Sequence, residues 1–140
     1  MQNKVFLTST DTAIGFLSKN ASSLDRAKKR ANGKKYITAL PSLKNLSKRV
    51  PTKHKNLIRR SKKTTFIIDK NFSFRVVQNK NHNLLLKRLG WAYTSSANES
   101  GKEYDYNYAY KKADIIIYPL KNSSPSTILK LGKRKVKKVR

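Results

Sequence analysis

Cysteine is absent from the 140 residues. Its absence excludes disulfides, thiolate metal ligands and thiol nucleophiles. Acid is scarce: seven Asp and Glu stand against 33 Lys and Arg, a formal net charge of +26. No apolar stretch approaches the roughly 20 residues that a membrane span requires. Near the N-terminus, Lys4 is followed only by Val5-Phe6-Leu7 before polar residues, too little for a secretory signal. These absences predict a soluble, cytoplasmic protein with no membrane partner.

The excess of base is not confined to a tail. Residues 1–70 hold 18 basic and 3 acidic side chains, and residues 71–140 hold 15 and 4. A surface of one sign repels itself unless an anionic partner relieves it, so tRNA or another RNA is the expected partner. Hydrophobic residues make up 37% of the chain and gather in short runs, as in a folded protein. The length fits one domain over residues 1–140.

The runs predict alternating strands and helices. Val5–Thr8 reads as a buried strand, residues 9–16 as a loop, and Ser22-Ser23-Leu24-Asp25 as the capped start of a helix toward Arg30. Asn32-Gly33 predicts a turn and Tyr36–Leu40 a strand. A short helix is expected after Pro41, through Leu43, Leu46 and Val50; residues 51–63 give no clear signal. Thr64–Ile68 and Phe72–Val77 read as neighbouring strands. Asn81–Leu89 predicts a helix with Leu84, Leu85 and Leu89 inward and Gly90 as its stop. Strands are expected at 91–95, 115–118 (buried), 126–131 and 135–139, with a Tyr-rich helix over 104–112. The pattern predicts an α/β or α+β sheet with helices packed on it. His54 and His82 are expected at the surface, and Trp91 in the core.

Four polar stretches follow apolar runs, where α/β sheets bind ligands. Thr8-Ser9-Thr10-Asp11-Thr12, with Gly15, offers hydroxyls and a carboxylate. Lys28-Lys29-Arg30, continuing to Lys34-Lys35, offers cations for phosphate. Thr94-Ser95-Ser96-Ala97-Asn98-Glu99-Ser100-Gly101 offers converging donors and small side chains that admit an anion or sugar to the backbone. Pro125-Ser126-Thr127-Ile128 precedes the terminal Arg140. Each alone also suits an ordinary surface loop.

In this order the stretches resemble the YrdC family of threonylcarbamoyl-AMP synthases. The matching segments are Thr10-Asp11-Thr12-Ala13-Ile14-Gly15, Lys28-Lys29-Arg30, Phe74-Arg75-Val76, Thr94-Ser95-Ser96-Ala97-Asn98-Glu99-Ser100-Gly101 and Pro125-Ser126-Thr127-Ile128. The chain looks like a short and divergent member. Family prolines are replaced at Ser9 and Ala31, and a family Tyr at Ile14.

The resemblance implies a YrdC-like α/β fold, a single domain with a twisted, curved mixed sheet and packed helices. It also implies a nucleotidyltransferase that makes threonylcarbamoyl-AMP from threonine, bicarbonate and ATP for tRNA threonylcarbamoyladenosine modification. Threonylcarbamoyl-transferase proteins would be partners, and the family is linked to RNA binding, including double-stranded RNA. Carried over, Thr10, Thr12, Arg75 and Ser126 would bind threonine. Lys28, Arg30, Lys34, Thr94, Ser96, Asn98 and Arg140 would bind ATP. No residue is assigned as acid or base, and Mg²⁺ would accompany ATP without dedicated protein ligands. The missing prolines leave a second reading open: a non-catalytic, tRNA- or ribosome-associated RNA-binding module that keeps the fold.

Both readings predict RNA binding driven by counterion release. In a filter-binding titration of tRNA, affinity is expected to fall steeply as salt rises. A flat salt dependence would contradict the reading of the charge.

Overall fold

β-rich runs separated by short polar segments pair into one mixed sheet. The computed structural model describes residues 3–10, 12–30, 35–70, 72–121 and 126–140. Its strands are β1 (Phe6–Ser9), β2 (Ile14–Ser18), β3 (Ile37–Leu40), β4 (Thr64–Asp69), β5 (Phe72–Val76), β6 (Ala92–Ser96), β7 (Ile115–Ile117), β8 (Thr127–Leu131) and β9 (Val136–Lys138). Among the described residues they form one sheet in the order β7-β1-β2-β6-β3-β5-β4-β8-β9. The pairs β1/β7, β3/β5 and β4/β8 are parallel and the others antiparallel.

Among the described residues four α-helices accompany the sheet: α1 (Ala21–Lys28), α2 (Lys55–Arg60), α3 (Lys80–Leu89) and α4 (Tyr106–Lys112). The N-caps of α1, α3 and α4 are Asn20, Asn79 and Asp105, whose side chains accept backbone N–H groups of the first turn. Leu24 and Ala27 of α1 pack on Phe16 and Tyr36. Leu86 and Leu89 of α3 pack on Phe6, Leu17, Ala39 and Ala92. Ile58 of α2 packs on Leu40, Phe66, Phe74 and Leu131.

Register decides what is left uncovered. Gly15 pairs with Ser96, Ile37 with Thr94, and Ala39 with Arg75. Side chains alternate across a strand, so these residues share the face that α3 packs on. Helix α3 covers the part built by Leu17, Ala39 and Ala92. The remainder is polar and lines a cavity.

Several local expectations change. Residues 14–18 are a strand rather than loop, paired with β1 on one side and β6 on the other. The cap of α1 is Asn20, two residues before the Ser pair. The helix expected after Pro41 shortens to a 3₁₀ turn at Leu43–Asn45, and α2 forms in the stretch that gave no signal. In α3 the inward face is His82, Leu86 and Leu89, at i, i+4 and i+7, so Leu84 points out and is 58% exposed. His54 and His82 are buried, at 3% and 4% exposure. The His54 Nε2 lies 2.9 Å from the Gly132 carbonyl and ties α2 to the β8–β9 turn. Strand β7 is half exposed because it is an edge strand. The turn expected at Asn32-Gly33 lies outside the described residues.

Gly15 holds the hairpin against β6. A Cβ there would stand 2.9 Å from the Ser95 carbonyl oxygen and 3.1 Å from the Thr10 Cγ2. Backbone cannot yield as a flexible side chain would, so Gly15→Ala is expected to destabilise the fold by about 1–3 kcal/mol. Urea denaturation should show a lower midpoint with an unchanged slope.

Candidate functional site

The uncovered polar face encloses a cavity of about 390 Å³, within the usual range for small-molecule sites. The β1–β2 hairpin contributes Thr10, Thr12 and Gly15, and the end of β6 contributes Thr94, Ser95 and Ser96. Arg30 follows α1; Lys35, Tyr36 and Ile37 lead into β3. Arg75 rises from β5, and Ser126 and Arg140 flank β8 and β9. Among the described residues lining it, four are cations (Arg30, Lys35, Arg75, Arg140) and none is Asp or Glu. Asp11 lies outside the described residues.

Hydroxyls set the cations in place. The Thr10 Oγ1 accepts the Thr12 N–H at 3.1 Å, closing the hairpin turn. Arg75, 6% exposed, donates from Nη1 to the Thr12 Oγ1 at 2.8 Å and from Nε to the Thr65 Oγ1 at 3.2 Å. The Thr65 hydroxyl lies 2.9 Å from that of Ser126. Arg140 donates from Nε to the Ser126 carbonyl at 3.0 Å and from Nη2 to its Oγ at 3.2 Å. One chain of hydrogen bonds thus runs from the β1–β2 hairpin across β5 and β4 to the last residue. Backbone bonds between Val139 and Ile128 carry β9 back to the sheet and deliver Arg140 to the rim.

Arg30 packs its guanidinium 4.9 Å from the Tyr36 ring centroid, and its Nε is buried without a hydrogen-bond partner among the described residues. The Tyr36 hydroxyl donates to Asp25 Oδ1 at 2.6 Å. Burial, reinforced by that bond, pushes this phenol up to about 12. It stays protonated at neutral pH, so it is no base; it holds the ring beneath Arg30.

Two of the expected nucleotide residues have another place. Lys28 is only 2% exposed and does not line the cavity. Its Nζ donates to the carbonyls of Ser96 and Asn98 at 2.8 and 3.0 Å, and to the Asn98 Oδ1 at 3.1 Å. The Asn98 amide donates onward to the Lys102 carbonyl at 2.7 Å. Glu99 pairs with Lys102 at 2.7 Å and Lys29 at 3.1 Å, and these bonds hold its carboxyl below the usual range. Lys28 and Asn98 therefore shape the loop after β6, next to the strand end where Thr94, Ser95 and Ser96 line the cavity.

The structure brings together Thr10, Thr12, Arg30, Arg75, Thr94, Ser96, Ser126 and Arg140. Lys28 and Asn98 lie behind the wall, and Lys34 is outside the described residues. Thr65, Tyr36 and Ile37 were not anticipated. Thr65 had one legible signal: a hydroxyl in an apolar run, on the strand beside Arg75. Among the described residues no group of three or more His, Asp or Glu could hold a metal ion.

No family model and no curated protein matches the chain. Solved structures do. P. abyssi Sua5 in complex with L-threonine aligns with a TM-score of 0.83 and 18% identity over 99% of this chain and 50% of that one. E. coli YciO aligns with a TM-score of 0.76 and 19% identity over 98% of this chain and 82% of that one. A full-length HypF, solved with phosphate and nucleotide bound, aligns with a TM-score of 0.75 and 15% identity over 99% of this chain and 22% of that one. The fold is therefore YrdC-like. The chain spans about half the length of the P. abyssi protein.

Burial, and secondly the Arg30 charge, pull the Lys28 ammonium down to about 8 from its ordinary 10.5. Below pH 8 it is charged in folded and unfolded chains alike, and burial weighs against the fold in full. Between about 8 and 10.5 the unfolded chain holds one proton more, so stability rises with pH. Measured against Lys28→Met by denaturation at several pH values, the wild type is expected to gain stability across that window. A constant difference would contradict the shift.

Proposed function

We propose that the cavity binds threonine and ATP and forms threonylcarbamoyl-AMP, as the YrdC-like synthases do. One observation carries the reading. Hydroxyls and cations from seven separated segments converge on one cavity whose described lining has no carboxylate. That is a site for anions: an amino-acid carboxylate and a triphosphate. The fold is shared with a Sua5 solved with L-threonine and a HypF solved with phosphate and nucleotide, which supports both ligand chemistries here.

Roles follow from position. The Arg75 fork, fixed by Thr12 and Thr65, faces a carboxylate near Ser126, while Thr10 and Thr12 supply hydroxyls for an amine and hydroxyl. Arg30, Lys35 and Arg140 meet phosphate oxygens, with Thr94 and Ser96 beside them. Mg²⁺ comes with ATP and offsets charge on its phosphates. The threonine amine and bicarbonate condense to a carbamate: a C–N bond forms, a C–O bond breaks and water leaves. The carbamate oxygen attacks the α-phosphorus, a P–O bond forms to it, and the bond to the β-phosphate oxygen breaks, releasing pyrophosphate. No side chain takes a proton in that displacement. The protein's work is positioning and stabilisation of charge on the phosphoryl oxygens. The product would pass to a threonylcarbamoyl-transferase acting on tRNA, and the +26 surface would hold that RNA. The alternative, an RNA-binding module without chemistry, shares the surface and leaves the cavity without a ligand.

ATP and threonine together are expected to raise the melting temperature, since a ligand that binds only the native state stabilises it. No shift with both would favour the non-catalytic module. Arg140→Ala is expected to lower ATP affinity about tenfold in calorimetry, the usual loss for one hydrogen bond to a charged group. Its tRNA affinity should barely change, because one charge in 33 matters little to a diffuse surface. Asn98→Ala is expected to cost fold stability first, because its amide is spent inside the loop.

A further inference from the structure

A second cavity, of about 570 Å³, lies on the other face of the sheet, between α1 and residues 45–47. Among the described residues it shares only Lys35 and Tyr36 with the first. Its walls hold four aromatic rings: Tyr36, Phe72, Trp91 and Tyr93. Trp91 meets Tyr93 edge to face at 5.0 Å between centroids, and Tyr93 meets Tyr36 at 6.5 Å. Lysines sit over two of the rings, Lys19 at 5.0 Å from Trp91 and Lys48 at 5.5 Å from Phe72. Amid these cations the cavity contains one carboxylate among its described residues, Asp25, with Asn45 close by. Asp25 uses Oδ1 for the Tyr36 hydroxyl, and a carboxylate retains further lone pairs for other donors.

A basic groove adjoins this cavity and shares Leu46 with it. Lys44, Lys48, Arg49, Lys55 and Arg59 line the groove, and none of its described lining residues is acidic. The two features fit the two parts of a nucleotide chain: cations for the phosphates, aromatic walls and an acceptor for a base.

We infer that the aromatic cavity takes an unpaired base of an RNA strand whose backbone lies in the basic groove. Stacking on the rings is sequence-tolerant, because every base has a π face. The Asp25 carboxylate adds a preference. It accepts from an exocyclic amine, which adenine carries and uracil lacks. A duplex keeps its bases stacked inside and cannot fill the cavity. The inference stands apart from the chemistry proposed for the first cavity, since Trp91, Lys48 and Asp25 do not line that site.

Trp91 is the chain's one tryptophan, so its emission reports on the cavity directly. The full chain is titrated with oligoadenylate RNA, oligouridylate RNA, their duplex and heparin, a polyanion without bases. Oligoadenylate is expected to change the Trp91 emission and to bind about fivefold or more tighter than oligouridylate. Heparin and duplex are expected to bind without that change. Lys48→Ala with Arg49→Ala, both exposed, should lower the salt slope of oligoadenylate binding by about 1.4, roughly 0.7 for each lost phosphate contact. Trp91→Ala should weaken oligoadenylate about tenfold. Should that variant fail to fold, Asp25→Asn decides, since it keeps an acceptor for Tyr36 and turns a donor toward the base. It is expected to abolish the preference for adenine. An equal emission change with heparin, no change with oligoadenylate, or an adenine preference that survives Asp25→Asn would overturn the inference. An emission response without any effect of ATP and threonine on melting would uphold the base site and remove the synthase reading, so the two fail separately.

Discussion

The hydrogen bonds made by one buried guanidinium organise the site. A charge taken out of water must be met by well-placed partners or it destabilises the fold. Arg75, near the end of β5, meets the hydroxyl of Thr12 from the β1–β2 hairpin and that of Thr65 from β4. Those hydroxyls have their own partners, Thr10 on one side and Ser126 on the other, and Ser126 receives Arg140. The strands that approach Arg75 from both sides are thereby held at fixed positions around one space. Shape and electrostatics of the cavity follow from the same bonds.

Two further devices keep that space open. Helix α3 packs Leu86 and Leu89 on Phe6, Leu17, Ala39 and Ala92, and the polar part of the same sheet face lines the cavity. The loop after β6 is held by a lysine as well as by its own turn bonds. Lys28 reaches from α1 to carbonyls on both sides of Ala97, and Ala97 is itself buried against α1. The position of Ser96 at the cavity therefore depends on a residue that never touches the space. In a protein with a net charge of +26, such internal uses of cations also draw charge away from a self-repelling surface.

The sequence makes the fold class legible through strand-sized apolar runs and through the order of the hydroxyl-rich loops. It also marks most of the cavity, because Thr10, Thr12, Arg75, Ser96, Ser126 and Arg140 lie in recognisable segments. What it hides has a common cause: long-range pairing. Lys28 and Asn98 sit in motifs that suit phosphate, yet each finds the other across 70 residues, and that pairing turns both inward. His54 sits in a basic run that reads as surface, yet it is buried because the β8–β9 turn lies over it. Leu84 reads as core among three successive leucines, and only the phase of the helix reveals that it points out. The aromatic cavity is assembled from segments near residues 25, 36, 45, 72 and 92, so no local motif announces it.

The central claim is that the cationic, hydroxyl-lined cavity joins threonine to a nucleotide. Pyrophosphate release from ATP, followed with threonine and bicarbonate added singly and together, tests it most directly. Release that requires both, and that falls with Arg75→Lys in a variant that still folds, is the predicted result. Arg75→Lys keeps the charge and removes the fork that Thr12 and Thr65 orient. Release indifferent to threonine, or none from a chain that binds both ligands, would contradict it.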